Sequence, residues 1–190
     1  EMKERIGKMV GDSEAKNLWM GTFHSVFARI LRSEAEKLGY PTNFTIYDAD
    51  DAKKVVTNII KEKNLDKEIY KAKSVTSRIS SLKNNLITPK AYFQNGELQA
   101  QDSSAKMPMF GEIYQAYTER CFRAGCMDFD DLLLKTNELM YKFPDVLAKY
   151  QDRFKYILVD EYQDTNHSQY LIVKALAAKF ENICIVGDDA

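Results

Sequence analysis

The chain has 190 residues, 45% hydrophobic and 29% charged, a composition that buries a substantial core and excludes disordered, collagen-like and low-complexity proteins. Its 27 Lys and Arg against 28 Asp and Glu leave a formal net charge of -1, so any nucleic-acid or membrane-binding site has to be local. Three cysteines, Cys121, Cys126 and Cys184, lack metal-ligand spacing, Glu1 to Arg5 do not resemble a signal peptide, and no apolar run nears the ~18 residues of a membrane helix; a soluble, cytoplasmic protein with reduced thiols is expected.

In chain order, Leu18-Trp19-Met20 predicts a short buried strand, and Val26, Phe27, Ile30, Leu31 and Leu38 mark the helix that follows. Thr22, Phe23, His24 and Ser25 fall where strand gives way to helix. Two hydroxyls, an aromatic and an imidazole at a helix N-terminus can bind a backbone phosphate and pack a sugar or base; the alternative is capping by Thr22 or Ser25 with Phe23 in the core. Behind a capping Asp48, Ala52, Val55, Val56, Ile59 and Ile60 form one helical stripe, and Val75, Ile79, Leu82 and Leu86 another. Gln94 to Ser104 reads as a loop. Phe110, Ile113, Tyr114, Tyr117 and Cys121 make a third stripe between Pro108 and Gly125. Asp128 and Asp131 read as a cap pair in preference to a metal site.

The net charge conceals an asymmetry. Residues 53 to 90 carry ten Lys or Arg against three acids, a balance of +7, whereas residues 128 to 190 carry twelve acids against seven bases, a balance of -5. The basic run is either a solvated helix face or an arm that binds a polyanion. Two further strands are predicted at Tyr156-Ile157-Leu158-Val159 and Ile183-Cys184-Ile185-Val186, with a helix through Tyr170, Leu171, Leu176 and Phe180 between them, a βαβ unit in outline. Strand signals are thus confined to the flanks. The expected architecture is an α/β parallel sheet contributed by the two ends and interrupted by a mainly helical insertion, divided as residues 1–45, 46–135 and 136–190.

Chemistry concentrates after the second strand. Asp160 and Glu161 follow Val159, at the carboxyl edge where open α/β sheets bind ligands. There, one carboxylate can hold Mg²⁺ through its water shell and the other can activate a water, although strand-ending acids also cap helices. Asp164, with Thr165, is read as the cap of the next helix.

Asp160-Glu161-Tyr162-Gln163-Asp164-Thr165-Asn166 resembles the Walker B motif of superfamily 1 DNA helicases of the UvrD/Rep/PcrA type. Gly21-Thr22-Phe23-His24-Ser25 resembles that family's single-stranded DNA motif, and Glu1 to Ile6 the end of its preceding helix. Met127-Asp128-Phe129-Asp130-Asp131-Leu132-Leu133 and Ile185-Val186-Gly187-Asp188-Asp189 are similar to two further signatures, all in family order. The resemblance implies part of a RecA-like P-loop NTPase domain with a helical insertion, from an ATP-dependent 3′ to 5′ DNA helicase of repair or replication. It implies ATP and Mg²⁺ as cofactors, with Asp160 on the metal, Glu161 as general base and Gln163 at the nucleotide, linked to the DNA site. Thr22, Phe23, His24 and Ser25 would meet single-stranded DNA. The insertion would contact duplex at a single/double-strand junction, with Lys67, Lys71, Lys73 and Lys83 as candidates.

No G-x-x-x-x-G-K-[ST] loop occurs in the sequence. The family's loop would precede Glu1, and its second motor domain would follow Ala190. A fragment unable to hydrolyse ATP alone is therefore the expectation. The rivals are a non-catalytic duplex-binding module, a helicase-nuclease whose nuclease domain lies beyond Ala190, and a metal-dependent nuclease built on Asp160, Glu161 and Asp164.

Overall fold

The computed structural model describes residues 2–11 and 17–188. Glu1 of the first motif and Asp189 of the last lie outside them. Helix α1 spans Met2–Val10, and α2, Phe23–Glu34, tightens into a 3-10 turn, Ala35–Leu38, that ends at Gly39 with φ 81°, a left-handed position natural to Gly. Strand β1 (Thr45–Tyr47) leads into helices α3 (Ala49–Glu62), α4 (Ala72–Asn84), α5 (Pro89–Phe93), α6 (Gly96–Ser104) and α7 (Phe110–Arg123), and the chain returns as β2 (Cys126–Asp128). Helices α8 (Phe129–Lys142) and α9 (Pro144–Arg153) follow, then β3 (Ile157–Val159), a 3-10 turn (Tyr162–Asp164), α10 (His167–Ala177) and β4 (Ile183–Ile185).

The parallel pairing of β1 with β2 sets the way into the helical insertion beside the way out, in the register Thr45 to Cys126, Ile46 to Met127 and Tyr47 to Asp128. Side chains alternate along a strand, so this short ladder faces two ways. Ile46 and Met127 join a core with Phe27, Ile30, Leu31, Leu132, Leu139 and Ile172. Tyr47 and Cys126 join a second core with Val56, Ile59, Val75, Ile79, Tyr114 and Tyr117. Among the described residues, three helices begin at reciprocal capping boxes that satisfy the N-cap and N3 amides: Asp48 with Asp51 on α3, Asp128 with Asp131 on α8, and Asn166 with Gln169 on α10.

The α/β expectation holds, with parallel strands and a helix-dominated insertion, and β3–α10–β4 is the expected βαβ unit. Four local readings need correction. Leu18-Trp19-Met20 is not a strand, having no ladder partner among the described residues; Trp19 lies between the Arg29 and Arg153 guanidiniums, 4.0 and 4.8 Å from its ring. Strands are not confined to the flanks, since β1 and β2 pair in the middle of the chain. The polar stretch after Gln94 is largely helix α6, nucleated by Asn95, whose side chain accepts from the Glu97 and Leu98 amides at 3.1 Å, and held by buried Asp102, which accepts from Arg78 and from the Tyr92 hydroxyl. The cap of α10 is Asn166, whose Oδ1 accepts from the Gln169 amide at 2.9 Å; Asp164 only ends the preceding 3-10 turn.

Lys83 is the fifth correction and the most consequential. Its side chain is 1% exposed, with Nζ 2.8 Å from both Asp128 Oδ2 and Asp131 Oδ1, and 5.0 Å from the centre of the Tyr117 ring. It cannot reach a phosphate. The Tyr117 hydroxyl donates to Asp128 at 2.7 Å. Burial alone would lower the Lys83 pKa, but the Asp131 and Asp128 carboxylates outweigh it and hold the ammonium charged well above its usual range. Burial likewise works against Asp128, which Lys83 nevertheless keeps below the usual carboxylate range. For Asp131, burial wins over the pull of Lys83, and with the Asp128 charge it lifts the carboxyl to about 6.

Removing one member of a buried ion cluster leaves uncompensated charge in a low-dielectric site. Lys83→Met is expected to lower unfolding free energy by about 3–5 kcal/mol in a urea titration of the chain. The same substitution at exposed Lys71 or Lys73 should shift it by no more than ~0.5 kcal/mol. Equal small effects at all three would contradict the cluster's structural role.

Candidate functional site

The parallel strands β3 and β4 pair in the register Ile157 to Ile183, Leu158 to Cys184 and Val159 to Ile185. Their carboxyl ends stay joined by two further bonds, Val186 N to Val159 O at 2.8 Å and Tyr162 N to Val186 O at 3.0 Å. Asp160 and Glu161 leave β3 here, and Gly187 and Asp188 leave β4. All four are exposed, so the two strand-end carboxylates open to solvent rather than into the core.

Gln163 ties this edge together. Its Nε2 donates to Glu161 Oε2 at 2.8 Å, and its Oε1 accepts from the Asp188 amide at 3.3 Å. Gly187 makes room for it, because a Cβ there would lie 2.8 Å from Gln163 Oε1. Asp160 Oδ1 accepts from the Glu161 amide at 3.0 Å, which fixes the first carboxylate against the chain turn. That turn is strained: Glu161 has φ 52° and ψ 41°, the left-handed region that side chains with a Cβ seldom occupy.

Among the described residues, no group of three or more His, Cys, Asp or Glu is arranged to hold a metal ion. A site for a tightly caged metal such as zinc is therefore not built from them. One exposed carboxylate at a strand end does fit an ion such as Mg²⁺, which keeps several waters and takes its remaining oxygens from phosphates. Asp160 is the residue suited to that role.

The second constellation lies at the start of α2. Thr22 is its N-cap, accepting from the Ser25 amide at 3.3 Å, while Ser25 Oγ donates to the Thr22 carbonyl at 2.8 Å. Capping thus occupies one face of each hydroxyl and leaves the Thr22 proton and the Ser25 lone pairs available. Phe23 is half-buried, its ring 5.7 Å from that of Phe27. His24 meets Phe129 edge to face at 5.7 Å, and Phe129, at the first position of α8, is 51% exposed. The fold therefore joins two separate motifs into one surface with a partly bare aromatic ring. Phe129 was missed as a candidate; the signal was an aromatic beside the cap, ahead of the buried run Leu132, Leu133 and Leu134.

Of the four candidate lysines, Lys67, Lys71 and Lys73 are exposed and have no ion-pair partner among the described residues, while Lys83 is buried in its carboxylate cluster. Lys71 is the N-cap residue of α4 and Lys73 lies in its first turn.

Parallel strands with helices on the flanking segments and an open Asp-Glu pair at the strand end define an α/β protein whose carboxyl sheet edge is free to meet a ligand. Comparison with protein families matches residues 1–190 to the UvrD/REP helicase N-terminal domain, and the chain belongs to that family. It is 44% identical over 188 residues to the ATP-dependent DNA helicase PcrA of Staphylococcus aureus (strain Mu50) and 43% identical over 188 residues to that of Staphylococcus epidermidis (strain ATCC 12228). Each alignment covers 99% of this chain and 25% of the relative, so the chain spans about a quarter of their length. Among the described residues no helix is long and apolar enough to cross a membrane.

The strain at Glu161 has a measurable consequence. Glu161→Gly relieves the left-handed backbone penalty at an exposed position and is expected to raise unfolding free energy by up to ~1 kcal/mol, the gain being reduced by glycine's greater freedom when unfolded. A denaturation midpoint clearly below that of the wild-type chain would contradict the strained geometry.

Proposed function

We propose that the chain is part of the first motor domain of an ATP-dependent DNA helicase that moves 3′ to 5′ along single-stranded DNA and opens duplex, in the cytoplasm, in repair or replication. The observation that carries this reading is the Gln163 side chain, which bridges the Glu161 carboxylate to the backbone leaving β4 at the open edge of the parallel strands. Membership of the helicase family and the likeness to PcrA support it.

In this reading Asp160 would hold Mg²⁺ through its water shell, and the ion would supply charge neutralisation at the phosphates of ATP. Glu161 accepts a proton from the attacking water. Gln163 fixes that carboxylate by its 2.8 Å bond and, because its other end is held by the Asp188 amide, senses any shift between the two strand exits. Thr22 and Ser25 offer hydroxyl groups, and the α2 N-terminus its dipole, to a strand phosphate. His24 and Phe129 offer ring surface to a sugar or base. Lys67, Lys71 and Lys73, without ion-pair partners among the described residues, supply charge for duplex phosphates, a contact that sets affinity without sequence choice.

The test is Glu161→Gln in the full-length enzyme that carries this chain. ATP and DNA binding should persist while DNA-stimulated turnover falls by roughly 10²–10⁴, the loss expected for a general base. Near-normal turnover would exclude the role given to Glu161.

A further inference from the structure

We propose that Asn84 is a positioning residue through which the helical insertion acts on the segment Asp160 to Asn166, with α4 as the strut between them; the inference rests on the helicase reading above. The two ends of α4 differ in their surroundings. At its start stand Lys71 and Lys73, exposed and without ion-pair partners among the described residues. At its end, the consecutive side chains of Lys83 and Asn84 both reach the start of α8.

Lys83 enters the capping box of α8. Asn84 reaches further. Its Nδ2 donates to Asp130 Oδ1 and to the Ser80 carbonyl, each at 3.0 Å, and its Oδ1 accepts from Asn166 Nδ2 at 3.0 Å. Chemistry fixes this orientation, because an ionised carboxylate only accepts, so the amide nitrogen of Asn84 must face Asp130. Asn166 has no freedom either: its Oδ1 is taken by the Gln169 amide and the Ser168 hydroxyl, both at 2.9 Å, which leaves its Nδ2 for Asn84. One side-chain amide thus joins the insertion, the start of α8 and the cap on which the catalytic segment ends.

The strut is stiff. Helix α4 runs unbroken for 13 residues, about 20 Å at 1.5 Å per residue, with Val75, Ile79 and Leu82 locked in the second core. A force on Lys71 or Lys73 is therefore carried along α4 to Asn84 and across a single hydrogen bond to Asn166. The coupling works in both directions, as any energetic coupling between two sites must.

A double-mutant cycle in the full-length enzyme tests this, combining Lys71→Glu/Lys73→Glu with Asn84→Ala. The readout is DNA-stimulated ATP turnover on a tailed duplex relative to a single strand, with KM for ATP followed alongside. Charge reversal should change that ratio at least about twofold more with Asn84 present than in the Asn84→Ala background. A purely structural effect of Asn84 would change both arms equally, and additive variants on a normally stimulated enzyme would overturn the coupling alone. Charge reversal without effect in either background would overturn it too, by removing the duplex contact. A wild-type enzyme with no DNA-stimulated turnover would instead overturn the helicase reading, and this inference with it. If Asn84→Ala fails to fold, Asn84→Ser, too short to span Asp130 and Asn166, gives the same cycle.

Discussion

A lysine ammonium buried between two carboxylates is the constraint on which the rest of this structure depends. Lys83 comes from α4, which packs in the second core, whereas Asp128 and Asp131 form the capping box of α8, which packs in the first, so the cluster forms only when the two hydrophobic cores dock in one register. Its strength lies in specificity as much as energy. Burying three ionised groups is costly, and the cost is met only where Tyr117 and the α8 amides satisfy the remaining valences. A shifted docking would strand the charges. The short β1–β2 ladder adds a second fix by pinning the insertion's entry to its exit, and Asn84 a third by reaching Asn166.

The candidate site has the opposite character. Asp160, Glu161, Gln163 and Asp188 are all exposed, and the segment carrying them is held at its two ends, by the β3–β4 pairing upstream and by the Asn166 cap downstream. Between these anchors Glu161 sits in a backbone conformation that costs on the order of 1–3 kcal/mol. A rigid joint beside an open, strained turn is an arrangement in which small displacements at the joint change the geometry of a carboxylate. The His24–Phe129 contact brings the start of α8 into the same framework, because Phe129 directly follows the Asp128 that Lys83 holds.

Much of this was legible in the sequence. The stripes at Val56, Ile59 and Ile60, at Val75, Ile79 and Leu82, and at Tyr114 and Tyr117 are all buried, and Asp48 and Asp128 cap as their positions imply. The seven residues from Asp160 to Asn166 pointed to the family through local pattern. What stayed hidden was tertiary. Three-residue strands such as Thr45–Tyr47 carry too little alternation to stand out. Nothing local distinguishes Lys83 from Lys71 or Lys73, because its burial depends on carboxylates 45 and 48 positions away in the sequence. The stretch at Gly96–Ser104 has no amphipathic pattern, and its helicity follows from the Asn95 cap and the Asp102 contacts. The Asn84–Asn166 bond has no sequence signal at all.

Native-state hydrogen exchange on the 190-residue chain tests the central claim, that the last turn of α4 binds the insertion and the two capped helices into one unit. The informative amides are Asn85, at the end of α4, Asp131, bonded to Asp128 Oδ1, and Gln169, bonded to Asn166 Oδ1. The account predicts that these three open together, with one denaturant dependence and opening free energies within about 0.5 kcal/mol of one another. A Gln169 amide that opens independently, at much lower free energy than Asn85 and Asp131, would contradict it.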